Sequence, residues 1–289
     1  MPVRHICALR RQRERTPVPS RTELITSAAN PVVKRIRLLL ADRRHRAREQ
    51  AFVVEGVAPV WQAVEAGAEI ETLVVAPELL AGSPAAAMVA EQADRGMRIT
   101  RLSAELFGRI SDRDGPSGLA AIVQSRLPGL SDVAVSPDSA YVALNDVGNP
   151  GNLGTILRTG DAAGISAVML VGHTADPFAP AAVKASMGAI FSVPVVRVST
   201  VDQVADWARE HEVSIVTTSG AASTALWDAP LRPPLLVVMG GERDGLAAET
   251  IELGDLAVSI PMTGTAESLN LAVATGIVVY EIRRQNRDG

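Results

Sequence analysis

The chain has 289 residues, of which 47% are hydrophobic but only 3% aromatic, and its formal net charge is −4. Such a length suits two domains of ordinary size and allows sizeable cores, which Val, Leu, Ile and Ala must build. Cys7 is the only cysteine, which excludes an intramolecular disulfide and fits a reducing compartment. Residues 1–20 lack the apolar core of a signal peptide, and no apolar run spans a bilayer without interruption. A soluble, cytoplasmic protein is therefore expected.

Charge is unevenly spread. Residues 1–48 hold thirteen Arg or Lys against three acids, a surplus of ten, which leaves −14 on the rest of a chain whose total is −4. A basic arm on an acidic body suggests contact with a polyanion, most simply a phosphate backbone. The competing explanation is a solvated tail.

In chain order, residues 1–21 are rich in Arg and Pro and are expected to form a flexible basic arm. The stretch that follows places Val32, Ile36, Leu39 and Leu40 at helical spacing, with Asn30 suited to the N-cap and Pro31 to the first turn. Its other face carries Lys34, Arg35, Arg37, Arg43, Arg44, Arg46 and Arg48. "AFVVEG" predicts a buried strand and "VAPVWQAVEAG" an amphipathic helix closed by Gly67. "IETLVVAP" predicts a strand, followed by a helix over 85–95, a strand at "RITRLS", a short helix at "AELFGRI" and a strand at "GLAAIVQ". This alternation makes a small α/β domain over 22–125. Residues 126–138, with two prolines and no clear period, are expected to form a linker.

A second α/β region is expected over 139–289. Its strands "YVALND", "AVMLVG", "VPVVRV", "SIVTTS", "LLVVMG" and "AVSIP" are nearly continuous apolar runs, as parallel strands covered on both faces should be. Helices lie between them. The last helix, beginning near Leu271, looks buried almost all round, yet Ser268 and Asn270 stand at its mouth.

In parallel α/β sheets, ligands bind beyond the carboxyl ends of the strands. Three loops fit that rule. "NDVGNPGNLGTILRTG" offers Asn152 as a helix cap and, six residues on, Arg158, which about 1.7 turns place on a different face. Taken alone, this loop is equally well explained as a Gly-rich turn with an exposed Arg. "VVMGGERDGL" places Gly240, Gly241 and Glu242 after a buried strand. A helix N-terminus explains its acids through the dipole but leaves its three glycines unexplained. The third loop joins Ile260, Pro261 and Met262 to Ser268, Leu269 and Asn270, and capping accounts for only one of its two polar residues. No P-loop or G-x-G-x-x-G fingerprint is present, which argues against a nucleotide-dependent enzyme on an ordinary doubly wound sheet. The four histidines (His5, His45, His173, His211) are scattered and no Cys-His cluster exists, so no metal site is expected. A serine-hydrolase elbow is also missing.

Taken in this order, the three loops resemble the three signature motifs of the SpoU (TrmH-like) branch of the SPOUT RNA methyltransferases. Asn152 through Arg158 is similar to the first, Met239 through Leu246 to the second, and Ile260-Pro261-Met262 with Ser268-Leu269-Asn270 to the third. The resemblance covers about 139–289, and Ile25–Gly56 resembles the start of the L30e-like substrate-binding domain found before it in many members. Gly241 departs from the pattern, since many members carry Asn or another polar residue there.

The resemblance implies a parallel-sheet domain with a trefoil knot, although such knots are very rare. It also implies a homodimer and S-adenosylmethionine held by Met239, Gly240, Gly241, Glu242, Ile260, Met262, Ser268 and Leu269. The implied activity is methyl transfer to a ribose 2′-OH of RNA, with 23S rRNA expected ahead of tRNA. A non-catalytic RNA-binding assembly factor of the same fold is the further alternative. Arg158 would act on the ribose hydroxyl. A guanidinium stays protonated near pH 7, so a role as electrostatic stabiliser competes with that of base. Asn152, Glu242, Ser268 and Asn270 would orient Arg158 and the ribose. The seven basic residues from Lys34 to Arg48 would bind RNA, and neither membrane nor metal is implied.

Overall fold

The computed structural model describes residues 23–112, 114–242 and 244–287. The expected arm, with Cys7, and Arg243 of the second loop lie outside the described residues.

The N-terminal part begins with a short strand β1 (Leu24–Ile25). Helix α1 (Pro31–Ala41) opens as its first residues require, with Asn30 Oδ1 accepting from the Val32 amide at 2.9 Å. Extended backbone at Asp42 stops α1, and the Asp42 carboxylate caps α2 (Arg43–Glu49). The basic stretch is therefore two helices. Then come β2 (Ala51–Glu55), α3 (Val57–Glu65), β3 (Ile70–Val75), α4 (Pro77–Leu80), α5 (Ala85–Asp94), β4 (Ile99–Leu102), α6 (Ala104–Gly108) and β5 (Leu119–Gln124). They form a mixed sheet in the order β1-β4-β3-β5-β2, in which β5 runs antiparallel to both neighbours. Val33, Ile36 and Leu39 of α1 are buried against one face, each such side chain contributing about 1.5–3 kcal/mol.

The second sheet is built from β6 (Ala140–Asn145), α7 (Pro150–Ala163), β7 (Ala167–Val171), α8 (Pro180–Ser186), β8 (Val195–Val198), α9 (Val201–Glu210), β9 (Ser214–Thr218), β10 (Thr224–Ala225), β11 (Leu235–Met239), α10 (Ala248–Glu252), β12 (Leu256–Ser259) and α11 (Leu271–Gln285). Its order is β10-β12-β9-β11-β6-β7-β8, parallel throughout. The reversal at β6 brings the loops after β6 and β11 together, where a ligand site is expected. A separate apolar core covers each face of the sheet. Helices α7 and α8 approach so closely that a Cβ on Gly154 would lie 2.3 Å from the Ala182 carbonyl oxygen. Only glycine fits there.

The two sheets share a packed seam. Phe52 of β2 meets Phe178, with ring centroids 4.6 Å apart, and Phe191 at 6.1 Å. Val183 of α8 completes this apolar cluster of the first sheet. Arg46 of α2, only 6% exposed, donates through Nε to Asp176 Oδ2 at 2.9 Å. Removing either partner of so buried a pair costs about 3–5 kcal/mol.

The last helix departs from expectation. Leu271, Ala272, Thr275, Val278, Val279 and Ile282 are buried, but Val273 is 52% and Tyr280 51% exposed. With the half-buried Ile277 between them, these two make an apolar stripe at helical spacing. The reason is geometric. The helix packs on the core and on α7 along one face only, with Gly276 against Thr159. Among the described residues no helix is long and apolar enough to cross a membrane.

Candidate active site

The loops after β6 and β11 close on each other through side chains. Asn149, not Asn152, caps α7: its Oδ1 accepts from the amides of Gly151 (2.8 Å) and Asn152 (3.2 Å). Pro150 fills the first turn, the same Asn-Pro signature that opens α1. The expectation that Asn152 caps the helix is thereby corrected. Asn152 lies inside the first turn, where its side chain is free for another task. It donates through Nδ2 to Glu242 Oε1 at 3.0 Å and accepts at Oδ1 from Asn270 Nδ2 at 3.1 Å. Asn270 uses its own Oδ1 to cap α11, accepting from Ala272 (2.9 Å) and Val273 (3.4 Å). One continuous network, Glu242–Asn152–Asn270, thus joins all three loops.

Glu242 also accepts from the Gly148 amide at 3.4 Å. Burial pushes its pKa up. The opposing hydrogen bonds from Asn152 and from the main chain of Glu242, Gly148 and Asn149 prevail and hold the carboxyl below 4.5. It is a carboxylate at neutral pH and serves as an acceptor. A cleft of about 700 Å³ opens beside it, lined by Asp146, Gly148, Asn149, Pro150, Gly241, Glu242, Asp244 and Gly245. The third loop forms no part of that wall.

The glycines of the second loop have a local cause. Gly245 has φ +66°, and a Cβ on Gly240 would lie 2.2 Å from the Gly245 carbonyl carbon. The turn closes on itself there, bridged by Gly241 and Gly245. In the third loop, Pro261 to Asn270 are all exposed. Among the described residues the main-chain groups of Ile260 to Leu269 find no hydrogen-bond partner, and Ser268 has none through its hydroxyl. Met262 (40%) and Leu269 (36%) present apolar side chains on the same loop. Unpaired peptide groups between two exposed apolar side chains fit a nucleoside bearing an aliphatic sulfonium arm, the chemistry of S-adenosylmethionine. Met239, at the end of β11, is buried.

Arg158 stands apart. It is exposed on α7, about 120° around the helix from Asn152, and among the described residues it makes no hydrogen bond or ion pair. The chain brings Asn152, Glu242 and Asn270 together but does not bring Arg158 to them.

The basic residues of the first domain divide into two groups. Lys34, Arg37, Arg43, Arg44 and Arg48 are exposed. Arg46 is buried in the seam, and this takes it off the expected RNA-binding surface. Arg35 is held by Glu71 (2.6 Å) and Glu49 (3.1 Å). Its pKa is raised, first by the hydrogen bond to Glu71 and against the opposing effect of burial. Residues missed in the sequence include Asn149 and Asp146. The Asn149-Pro150 pair was a readable signal for the first. Asp146 adopts φ +54° and accepts at Oδ1 from the His173 amide at 2.8 Å, a tertiary contact that leaves no local mark.

Comparison with known proteins agrees with this geometry. Residues 139–280 match the SpoU rRNA Methylase family and residues 30–121 the MRM3-like substrate binding domain. The 23S rRNA (uridine(2479)-2′-O)-methyltransferase of Streptomyces viridochromogenes is 32% identical over 284 residues, covering 96% of each chain. A 23S rRNA (guanosine(2553)-2′-O)-methyltransferase of Bacillus subtilis is 29% identical over 90% of this chain and 98% of its own. An AdoMet-bound rRNA methyltransferase from Sinorhizobium meliloti superimposes with a TM-score of 0.84 at 37% identity, covering 92% of this chain and 99% of its own.

Proposed function

We propose a reaction for this chain from the premise that it belongs to the SpoU rRNA methylase family: transfer of a methyl group from S-adenosylmethionine to a ribose 2′-OH of 23S rRNA. The observation that carries the proposal is the Glu242–Asn152–Asn270 network, which ties all three expected loops at the carboxyl edge of a parallel sheet.

S-adenosylmethionine supplies an electrophilic methyl group on a sulfonium. The main chain around Gly240, Gly241, Ile260 and Ser268, with Met239, Met262, Leu269 and Glu242, would hold it. Asn152 and Asn270 fix the position of Glu242, whose carboxylate can accept from a ribose hydroxyl. Positioning of this kind supplies much of the rate in a displacement. Arg158, free of partners among the described residues, would hold the adjacent phosphate and stabilise negative charge growing on the 2′-oxygen.

The protein acts as a homodimer in this reading. The exposed stripe of Val273, Ile277 and Tyr280 needs covering, and Arg158, next to the Thr159–Gly276 contact, needs a site to serve. A second copy seated on α11 supplies both. Residues 22–125 bind RNA through Lys34, Arg37, Arg43, Arg44 and Arg48, and 139–289 carry the reaction, with 126–138 between them. Action on rRNA supports a cytoplasmic location.

The test is methyl transfer from labelled S-adenosylmethionine to unmodified 23S rRNA and, separately, tRNA, with alkali-resistant linkages mapped afterwards. One protected linkage in 23S rRNA is expected. Labelling of tRNA alone would move the substrate, and a complete lack of cofactor binding would favour the assembly-factor alternative.

A further inference from the structure

Three guanidinium groups converge on the segment Thr174–Asp176, just after β7. Arg46 reaches it from α2 through Asp176. Arg43, also on α2, donates through Nη1 to the Thr174 carbonyl oxygen at 3.4 Å. Arg197 comes from the other side, on β8, and donates to Thr174 Oγ1 (3.4 Å) and the Ala175 carbonyl oxygen (3.3 Å).

Among the described residues only one carboxylate, that of Asp176, serves these three cations. Asp176 gives Oδ2 to Arg46 and Oδ1 to the Phe178 amide at 3.0 Å. Arg43 and Arg197 are left to neutral oxygens. They sit close enough to repel: the Arg197 pKa is lowered, first by burial and then by the Arg43 charge. Elsewhere, Arg35, Arg95 and Arg109 of the first domain and Arg126 of the linker each pair with a carboxylate. Two like charges from different domains, both exposed and held together by neutral oxygens of Thr174 and Ala175, form a preformed fork for an anion.

The location narrows the choice of anion. His173, adjacent to this segment, donates its amide to Asp146, and Asp146 lines the cleft beside Glu242. The cation pair therefore lies on the rim of the proposed active site, between the cleft and the exposed basic residues of α1 and α2. We propose that Arg43 and Arg197 together hold one backbone phosphate of the RNA, so that the two domains clamp the strand beside the nucleotide in the cleft. This rests on the RNA-methyltransferase reading. Arg197 belongs to none of the three loops, and nothing in its local sequence marks it.

The test uses the full chain as Arg43→Gln, Arg197→Gln and the double variant. Gln keeps a donor for the Thr174 and Ala175 carbonyls, and unchanged melting temperatures and cofactor affinity confirm folding. Affinity for a 23S rRNA fragment is measured against KCl concentration, which reads binding whether or not methyl transfer occurs. Each single variant should weaken binding about tenfold and lower the salt slope by about 0.7, as for one phosphate on a single strand. Because both side chains share that phosphate, the double variant should cost little more than either single one. Unchanged affinity and slope, or fully additive losses, would overturn the shared site. So would stabilisation of the wild type by inorganic phosphate that the variants lose while their RNA affinity stays intact, since that marks a small-anion site. A wild type that binds RNA in this way but transfers no methyl group would fail the enzymatic reading and leave the clamp standing.

Discussion

The inner edge of the site and its outer face differ in how far their polar groups are already satisfied. At the inner edge, Asn149, Asn152, Glu242 and Asn270 spend their hydrogen bonds on one another and on helix ends. On the outer face, Arg158 has no partner among the described residues, and Val273 and Tyr280 face solvent. Satisfied groups hold a geometry. Unsatisfied ones leave a surface open to something outside the chain, which in the proposed reading is RNA and a second copy. That reading assigns positioning to the first group and chemistry and assembly to the second.

The largest expected effect breaks the outer face. Arg158→Ala should lower kcat/KM by about 10²–10³-fold, the usual loss for one donor to a developing oxyanion. Cofactor affinity, measured calorimetrically, should stay within about threefold. Parallel loss of both would put Arg158 among the cofactor ligands. If Arg158 serves the other copy's site, mixing Arg158→Ala protein with inactive Asn152→Ala protein should restore activity, because one site in the mixed dimer is then intact. No recovery in a verified mixed dimer places Arg158 in its own chain's site.

Next in size is Tyr280→Glu. A charge on the apolar stripe should convert a dimer to monomers in sedimentation, and transfer should fall with dimer content. The same particle mass before and after the change would remove this stripe from the interface.

Much of the fold was legible because its signals are local. Continuous apolar runs marked the six main parallel strands, and Asn30-Pro31 marked the start of α1. The two-residue strands β1 and β10 were missed, because Leu24–Ile25 and Thr224–Ala225 are too short to show a period and are fixed by pairing with β4 and β12. The site was legible as three loops but not as a network. Asn149 and Asn152 are the same residue type three positions apart, and only the helix register decides which one caps. Arg46 looked like its neighbours on a basic face, and only the docking of Asp176 against it shows that it is buried. The exposed face of α11 was hidden by composition, since an apolar helix awaiting a partner looks the same in sequence as one in a core.

A smaller effect tests the inner edge. Asn270→Ala removes both the cap of α11 and the bond to Asn152. Cap loss costs about 1 kcal/mol, visible as a melting shift of a few degrees. Misplacement of Asn152 should reduce kcat/KM by about tenfold, as expected for one lost neutral hydrogen bond. Asn270→Asp keeps the cap acceptor but loses the donor, so it should recover stability without recovering rate. Recovery of both would make Asn270 a cap and nothing more.

The smallest effect is the pH dependence of the same network. The Glu242 carboxyl is held below 4.5 by its hydrogen bonds. A group whose pKa is depressed on folding contributes stability that is fully present above its unfolded pKa. That contribution is lost as pH falls through the lower, folded value. The stability difference between wild type and Glu242→Gln should therefore be constant from about pH 8 to pH 5 and shrink only in stronger acid. Glu242 is exposed, so solvent screening should keep the difference below about 1 kcal/mol. If it shrank above pH 5, the carboxyl would be titrating near neutrality. Glu242 would then be a candidate proton acceptor instead of a fixed anion, and the division between a positioning inner edge and a reactive outer face would fail at that residue.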